Sequence, residues 1–289
     1  MDDTLQQFIT GLSIASILLL VALGLSIIYG AMGIINLAHG EFVMLGAYVA
    51  WALQTQLQIG LFASLIPIFL LVALFGWLIE HFVLRFLYAR PLDTILATWG
   101  IGVMLQQAVR LLAGGELRYV QMPVDLSHSI DIVGVQVPVY RLFLFAAALA
   151  LFALTWFLMN RTTFGVKLRA VIQDRSISSA FGINPGRVYG ITFAYGAGLA
   201  GLAGALVSPL KSVSPEMGTG YVVDAFMVVV LGGVQSLVGT VASAFVLGEL
   251  SGVIAFLQND TIAKALVFLA IIVLIRFRPE GLFTARVRA

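Results

Sequence analysis

At 289 residues, 61% hydrophobic and 10% charged, with a mean hydropathy of +1.04, the chain lies far from the globular average of about 25% charged residues. A net charge of +2 is too small to attract nucleic acid, and the lack of cysteine removes disulfides and thiolate metal sites. The apolar residues fall in blocks of roughly 20, the length a helix needs to cross the hydrocarbon core, and the alternating segments of a β-barrel are absent. The expected fold is an all-α polytopic membrane protein.

Met1-Asp2-Asp3 is acidic where a signal peptide begins with positive charge, so the first apolar block is expected to remain as a span. Hydropathy places spans at 8–29, 37–53, 61–84, 94–113, 139–159, 187–209, 220–236, 239–257 and 261–277. That is nine crossings, with eight or ten as alternatives, because Gly30 and Gly33 can break the first helix and make 30–37 a re-entrant piece. Nine crossings gather Arg85, Arg90, Arg161, Lys167, Arg169, Arg175, Arg187, Arg276, Arg278, Arg286 and Arg288 on one side, and leave Arg110, Arg118, Arg141, Lys211 and Lys264 on the other. Lys and Arg accumulate in short cytoplasmic loops, so the carboxyl terminus is expected inside and the amino terminus outside.

Within the apolar, glycine-punctuated stretch 29–50 sit Asn36, His39 and Glu41. Intramembrane polar groups are costly and are by default candidates for a transport path; the competing reading is that they satisfy backbone freed at the Gly30/Gly33 break. Arg85 and Lys211 are conceivable partners for Glu41. The stretch 221–248 has the same style, with an acid at Asp224, a Gly232-Gly233 break and Gln235 after it. Paired Gly-interrupted segments point to a weak internal repeat with a site at its interface. Thr98, Gln106 and Gln107 add uncharged polar groups, and Trp99 and Gln106, seven apart, can share one helix face. The substrate-path candidates are therefore Asn36, His39, Glu41, Thr98, Trp99, Gln106, Asp224 and Gln235. An amino acid substrate would also ask for an apolar pocket and two opposite charges; Asp224 or Glu249 could supply one, and no buried Arg obviously supplies the other. Glu80 and His81, at the end of a span, read as interfacial. Gly196, Gly198, Gly201 and Gly204 along one span allow another helix to approach closely.

Two loops are long. The outer one, 114–138, reads as a solvated connector. The inner one, 160–187, holds an amphipathic stretch at 165–181, in which Val166, Leu168, Val171 and Ile172 alternate with Lys167, Arg169, Gln173, Asp174 and Arg175, ended by Gly182, Asn184 and Pro185. Such a helix rests on headgroups or grips a soluble partner. No phosphate-cradling loop, dinucleotide fingerprint or metalloprotease motif occurs, so any ATP use belongs to a partner and no cofactor is expected on this chain. A proton-coupled secondary transporter using Glu41, Glu80, Asp224 and Glu249 is the rival without a partner.

The run 29–42, YGAMGIINLAHGEF, resembles a signature of the permease subunits of branched-chain amino acid type ABC importers. So do Arg169-Ala-Val-Ile-Gln173-Asp174 with Gly182-Ile-Asn184, the Gly232-Gly233 segment, and the closing Arg278-Pro279-Glu280-Gly281-Leu282-Phe283. The resemblance covers nearly the whole chain; 96–100 with Gln106-Gln107, and 223–233, are more similar to the urea branch. It implies a single permease domain, 1–289, moving urea or a short amide across the bacterial inner membrane by alternating access, with branched-chain amino acids as the alternative cargo. Implied partners are a second homologous permease, two ATPase subunits using ATP and Mg, and a periplasmic substrate-binding protein. It also makes 160–187 the coupling loop, with Val166, Arg169, Gln173, Asp174, Ser178, Ala180, Gly182 and Asn184 at the ATPase contact. Ser178-Ser179-Ala180 stands where many importers carry Glu-Ala-Ala, which puts a specific Glu contact in doubt.

Overall fold

The computed structural model describes residues 2–88, 90–132, 134–278 and 281–282, with backbone alone for 2–5, 132 and 260. Pro279, Glu280 and Phe283 of the closing motif, and the basic Arg286 and Arg288, lie outside the described residues. Among the described residues the chain forms eleven α-helices and one hairpin. The first four helices are α1 (Asp2–Met32), α2 (His39–Gln56), α3 (Leu61–Phe82) and α4 (Pro91–Ala113). A hairpin of β1 (Ser129–Ile132) and β2 (Val135–Pro138) leads into α5 (Val139–Arg161), α6 (Thr163–Gln173) and α7 (Arg175–Ala180). The last four are α8 (Pro185–Val207), α9 (Met217–Gly232), α10 (Leu237–Leu257) and α11 (Asp260–Phe277).

Helix starts follow the sequence's capping chemistry. Asn184, Ser236 and Asn259 accept from the backbone N–H three residues on, and Pro91 and Pro185 open α4 and α8 where a missing N–H costs nothing.

The core is organised around α1 and α8. Helix α1 lies antiparallel to α10, with Gly11 against Glu249, Ala15 against Gly248, and Ser26 Oγ 2.8 Å from Thr240 Oγ1. Helix α8 lies antiparallel to α3 in the same manner, with Gly190 against Glu80, Ala197 against Gly76 and Gly201 against Val72. The two pairs meet where α1 crosses α8: a Cβ on Gly196 would lie 2.7 Å from the Gly24 carbonyl oxygen, and one on Gly24 would clash with the Gly196 carbonyl. Helices α2 and α9 start against each other, and a Cβ on Gly218 would lie 2.7 Å from the Gly40 carbonyl oxygen. Reciprocal contacts of this kind relate α1–α4 to α8–α11 as two inverted halves, with α5–α7 between them.

The repeat is therefore real, but its register differs from the one expected. The counterpart of the break at 33–38 is 208–216, ahead of α9, and not Gly232-Gly233 at the far end of α9. The resemblance of 29–50 to 221–248 is one of composition; the backbone pairs Gly40 with Gly218.

Six helices are long and apolar enough to cross a membrane: α1, α3 with the turn after it, α4, α5, α8 and α10. Together they make this a multi-pass membrane protein. Three of the nine expected spans fall short of that measure. Helix α2 opens on His39 and Glu41, α9 has 16 residues, and α11 carries Asp260, Lys264 and Arg276. Two of them, α2 and α9, start inside the protein after a non-helical segment, so neither has to cover the full thickness. The topology puts Arg85, Arg90, Arg161, Lys167, Arg169, Arg175, Arg187, Arg276 and Arg278 at the α6–α7 end, and Arg110, Arg118, Arg141, Lys211 and Lys264 at the opposite end, in agreement with the charge bias. The outer connector is packed rather than loose: Val120, Val135 and Val137 are buried, Arg118 pairs backbone to backbone with Val213, and Gln54 holds Gln121.

Candidate functional site

Helix α1 stops at Met32, Gly33 takes a φ of +65°, and 33–38 runs back without helix into the interior. There His39 Nε2 donates to the Val21 carbonyl at 3.0 Å, partway back along α1. Backbone released inside a membrane protein must find partners within the protein. Asn36 supplies two of them: its Oδ1 accepts from Ala38 N at 3.1 Å and its carbonyl from His39 N. Leu37 N donates to Thr98 Oγ1 at 3.1 Å. Asn36, His39 and Thr98 are fully buried.

Glu41, in the first turn of α2, is buried as well, and its Oε1 accepts from Gln106 Nε2 at 2.9 Å. Gln106 Nε2 also reaches Thr219 Oγ1 on α9 at 3.2 Å. Three buried polar atoms, Asn36 Nδ2, His39 Nδ1 and Glu41 Oε2, have no partner. Helix α4 faces this cluster with every fourth residue. Thr98 meets the break, Gly102 leaves room for the Glu41 side chain, Gln106 binds Glu41, and Arg110 pairs with Glu216 at the outer end. Between α2, α4 and α9 there is thus a ladder of polar groups leading from the buried break towards the outer surface.

The structure brings together Asn36, His39, Glu41, Thr98 and Gln106 of the expected set, and separates the rest. Trp99 is 61% exposed: it shares the face of Gln106 but sits two turns before it on α4, outside the buried cluster. Asp224 is bound by Lys264 Nζ at 3.1 and 3.2 Å, away from Glu41. Gln235 lies in the α9–α10 turn, on a cleft of about 770 Å³ at the α6–α7 end. Glu41's partner is Gln106, neither Arg85 nor Lys211. Thr219, Arg110 and Glu216 were missed; the four-residue spacing of Thr98, Gly102, Gln106 and Arg110 was the available signal.

The inner loop is two helices, not one. Asp174 ends α6 and caps α7, its Oδ1 accepting from Ile177 N at 2.8 Å. Leu168 and Val171 are buried, whereas Val166, Ile172, Ile177 and Phe181 are exposed, Phe181 by 82%. Gln173, Ala180 and Arg169 are exposed too, Arg169 while donating to the Met159 carbonyl at the end of α5, and Ser178 is buried. Ser178 braces the loop from inside, and Arg169 braces it from an exposed position. Gly182 has a φ of +79° and Asn184 caps α8. Arg175 stands about equally far from the Tyr88 and Tyr189 rings, at 5.5 and 5.6 Å, while the Tyr88 hydroxyl donates to buried Glu80. Glu80 is therefore internal and not interfacial, and His81 stacks on Trp77. The sequence reading did not find the Tyr88–Arg175–Tyr189 clamp, which joins residues far apart in the chain.

The family described as branched-chain amino acid transport system / permease component matches residues 7–276. The high-affinity branched-chain amino acid transport system permease protein BraD of Pseudomonas aeruginosa is 30% identical, over 96% of this chain and 95% of its own length. LivH of Escherichia coli K12, described in the same words, is 29% identical over 96% of each chain. The probable branched-chain amino acid transport permease protein LivH of Methanocaldococcus jannaschii is 24% identical over 84% of this chain and 78% of its own. No solved structure gives a significant match. The urea preference read from 96–100, Gln106-Gln107 and 223–233 finds no support in these comparisons.

Proposed function

Because the chain belongs to the family of permease components of branched-chain amino acid transport systems, we propose that it is the membrane-spanning subunit of an ATP-driven importer carrying branched-chain aliphatic amino acids inward. The observation that carries this reading is the end-to-end match to permeases of that description. The buried, helix-broken polar ladder is the feature such a subunit needs. In this reading the α6–α7 end faces the cytoplasm, the amino terminus lies outside, and the membrane is the bacterial inner membrane. Partners are a second homologous permease, two ATPase subunits that hold ATP and Mg, and a soluble binding protein outside.

The exposed Val166, Ile172, Ile177 and Phe181 offer apolar knobs to the ATPase. Arg169 ties α6 to the end of α5, and the Tyr88–Arg175–Tyr189 clamp ties α7 to α3 and α8. A displacement of α6–α7 by the ATPase is thereby passed into the bundle, and the inverted halves rock about Gly24/Gly196 and Gly40/Gly218. A proton-coupled transporter is the weaker reading, since Glu41, Glu80, Asp224 and Glu249 sit in four separate surroundings with no hydrogen bond linking any two of them among the described residues.

The test is reconstitution with the partner subunits and uptake of labelled leucine in competition with valine and with urea. Valine is expected to compete and urea not; competition by urea alone would overturn the assignment. Replacing Arg169 by Ala is expected to abolish uptake and transport-coupled ATP hydrolysis while the binding protein still binds its ligand.

A further inference from the structure

A second cavity, of about 370 Å³, lies in the outer half between α1, α9, α10 and α11, on the other side of α9 from the polar ladder. Its size is at the small end of the roughly 300–1,000 Å³ usual for small-molecule sites. One wall is charged. Arg141, Lys211 and Lys264 line it together with a single acid, Asp224, which Lys264 holds through both carboxylate oxygens. Among the described residues Arg141 and Lys211 have no carboxylate within ion-pair distance. Tyr221 adds a hydroxyl that is buried without any hydrogen-bond partner, and Lys211 Nζ stands 5.8 Å from its ring. The opposite wall is apolar, with Ile14, Ile17, Leu247 and Val267.

A purely anionic ligand would meet Asp224, and a purely cationic one would meet three like charges. A neutral solute such as urea would leave the charges unused. Lys211 and Lys264 reach the cavity from exposed positions while Asp224 is only 14% exposed; charge drawn into such a cleft is favoured when it is paired, and the occupant that pairs every group is a zwitterion with an aliphatic tail. We propose that this cavity is an outer-half binding site for an aliphatic α-amino acid. The carboxylate lies between Arg141 and Lys211 and accepts from the Tyr221 hydroxyl. The ammonium displaces Lys264 from Asp224, and the side chain lies on Ile14, Ile17, Leu247 and Val267. The site thus sets beside Asp224, which takes the ammonium, the cationic partners for the substrate's carboxylate in Arg141 and Lys211, and it deepens the amino acid reading, on which it rests.

The test uses the permease assembled with its partners in nanodiscs, without the binding protein. The probes are leucine, leucinol (no carboxylate) and 4-methylpentanoate (no ammonium), the variants Tyr221→Phe and Asp224→Asn, and bilayers with and without phosphatidylglycerol. Leucine is expected to bind, the two analogues to bind at least about tenfold more weakly, and each variant to weaken leucine by a similar factor, equivalent to about 1.4 kcal/mol. In uptake, both variants are expected to raise KM more than they lower kcat. Equal binding of leucinol overturns the proposal, and so does loss of leucine binding on adding phosphatidylglycerol, which would make the cavity a lipid headgroup site. If wild-type protein takes up urea and not leucine, the functional reading fails. If it takes up leucine with a KM that Tyr221→Phe and Asp224→Asn leave unchanged, this site fails alone. Tyr221→Phe removes one oxygen that has no hydrogen-bond partner and leaves the ring beneath Lys211 in place, so its melting temperature is expected to match wild type and weaker leucine binding by it is not a loss of fold.

Discussion

In the first half of the molecule the chain leaves α1 at Met32, passes through 33–38 without helix and restarts at His39, with Gly33 exposed at its mouth and Ile34, Asn36 and Ala38 buried beyond it. In the second half it leaves α8 at Val207, and 208–216 occupies the equivalent place with Lys211 and Glu216 exposed. The first break is held by side chains, Asn36 and Thr98, each capping a particular backbone N–H. The second is held by backbone, through the paired Arg118 and Val213, with the Arg110–Glu216 pair at its surface. One inverted repeat thus carries a dry break with specific polar chemistry and a wet break with generic pairing, which places the sequence-dependent chemistry of the fold in the first half.

The largest expected effect falls where the two breaks meet. A Cβ on Gly40 would overlap the Gly218 carbonyl oxygen, and backbone cannot swing aside as a side chain can. Gly40→Val is expected to destabilise by at least the upper end of the roughly 1–3 kcal/mol typical of overpacking, seen as a large fall in the melting temperature in detergent. Gly33→Ala is its control: space there is open and only the φ of +65° is strained, at a cost of about 1 kcal/mol. Equal melting temperatures for the two variants would remove the α2–α9 contact as the anchor of the repeat.

Next comes the contrast in how the breaks are satisfied. Thr98→Val keeps the shape of a buried residue but strands Leu37 N, at about 1–3 kcal/mol for an unsatisfied buried donor. Val213→Ala on the second break keeps its backbone pairing and loses only apolar contact, roughly 1–3 kcal/mol for two deleted methyls. Hydrogen exchange is expected to rise at 34–38 in the first variant and to stay flat at 208–216 in the second. A reversal would mean that the first break is not held by its side chains.

These contrasts were unevenly legible in the sequence. Long apolar blocks and the Lys/Arg bias announced the bundle and the grouping of its ends, because hydropathy and charge act residue by residue. Asn36, His39 and Glu41 stood out because polar groups are rare in such a context. The register of the repeat was not legible, since it is written in backbone contacts of glycines, and glycines are common along this chain. Trp99 and Gln106 share a helix face as their seven-residue spacing says, but spacing does not tell which of them packs against α2, and only the bond from Gln106 to Glu41 shows it. The pairing of α6 and α7 turned on Asp174 acting as a cap, where periodicity alone ran straight through. Arg141, Lys211 and Lys264 come from three distant segments, so their convergence depends on tertiary packing alone.

A smaller effect is expected at the rung that joins the halves. Glu41→Gln preserves an acceptor for Gln106, whereas Glu41→Ala removes it and leaves Gln106 with Thr219 alone. Under the importer reading, uptake by the Gln variant is expected to stay within a few-fold of wild type, and the Ala variant to fall by about tenfold, as loss of roughly 1.4 kcal/mol would give. Equal uptake by both would make Glu41 scaffold only.

The smallest effect is at the outer surface, where Arg110 pairs with Glu216 with side chains 41% and 61% exposed. Exposed pairs contribute about 0–1 kcal/mol and are screened by salt, so Arg110→Gln is expected to leave the melting temperature almost unchanged and to abolish whatever difference exists between low and high salt. The same variant removes one of the two ties between α4 and the second break, the other being Gln106 to Thr219. Hydrogen exchange at 214–219 is therefore expected to increase while 34–38 stays protected, because Thr98 still holds Leu37. Protection lost at both segments together would show that the wet and dry breaks move as one unit, and the division between them would then be one of chemistry without one of mechanics.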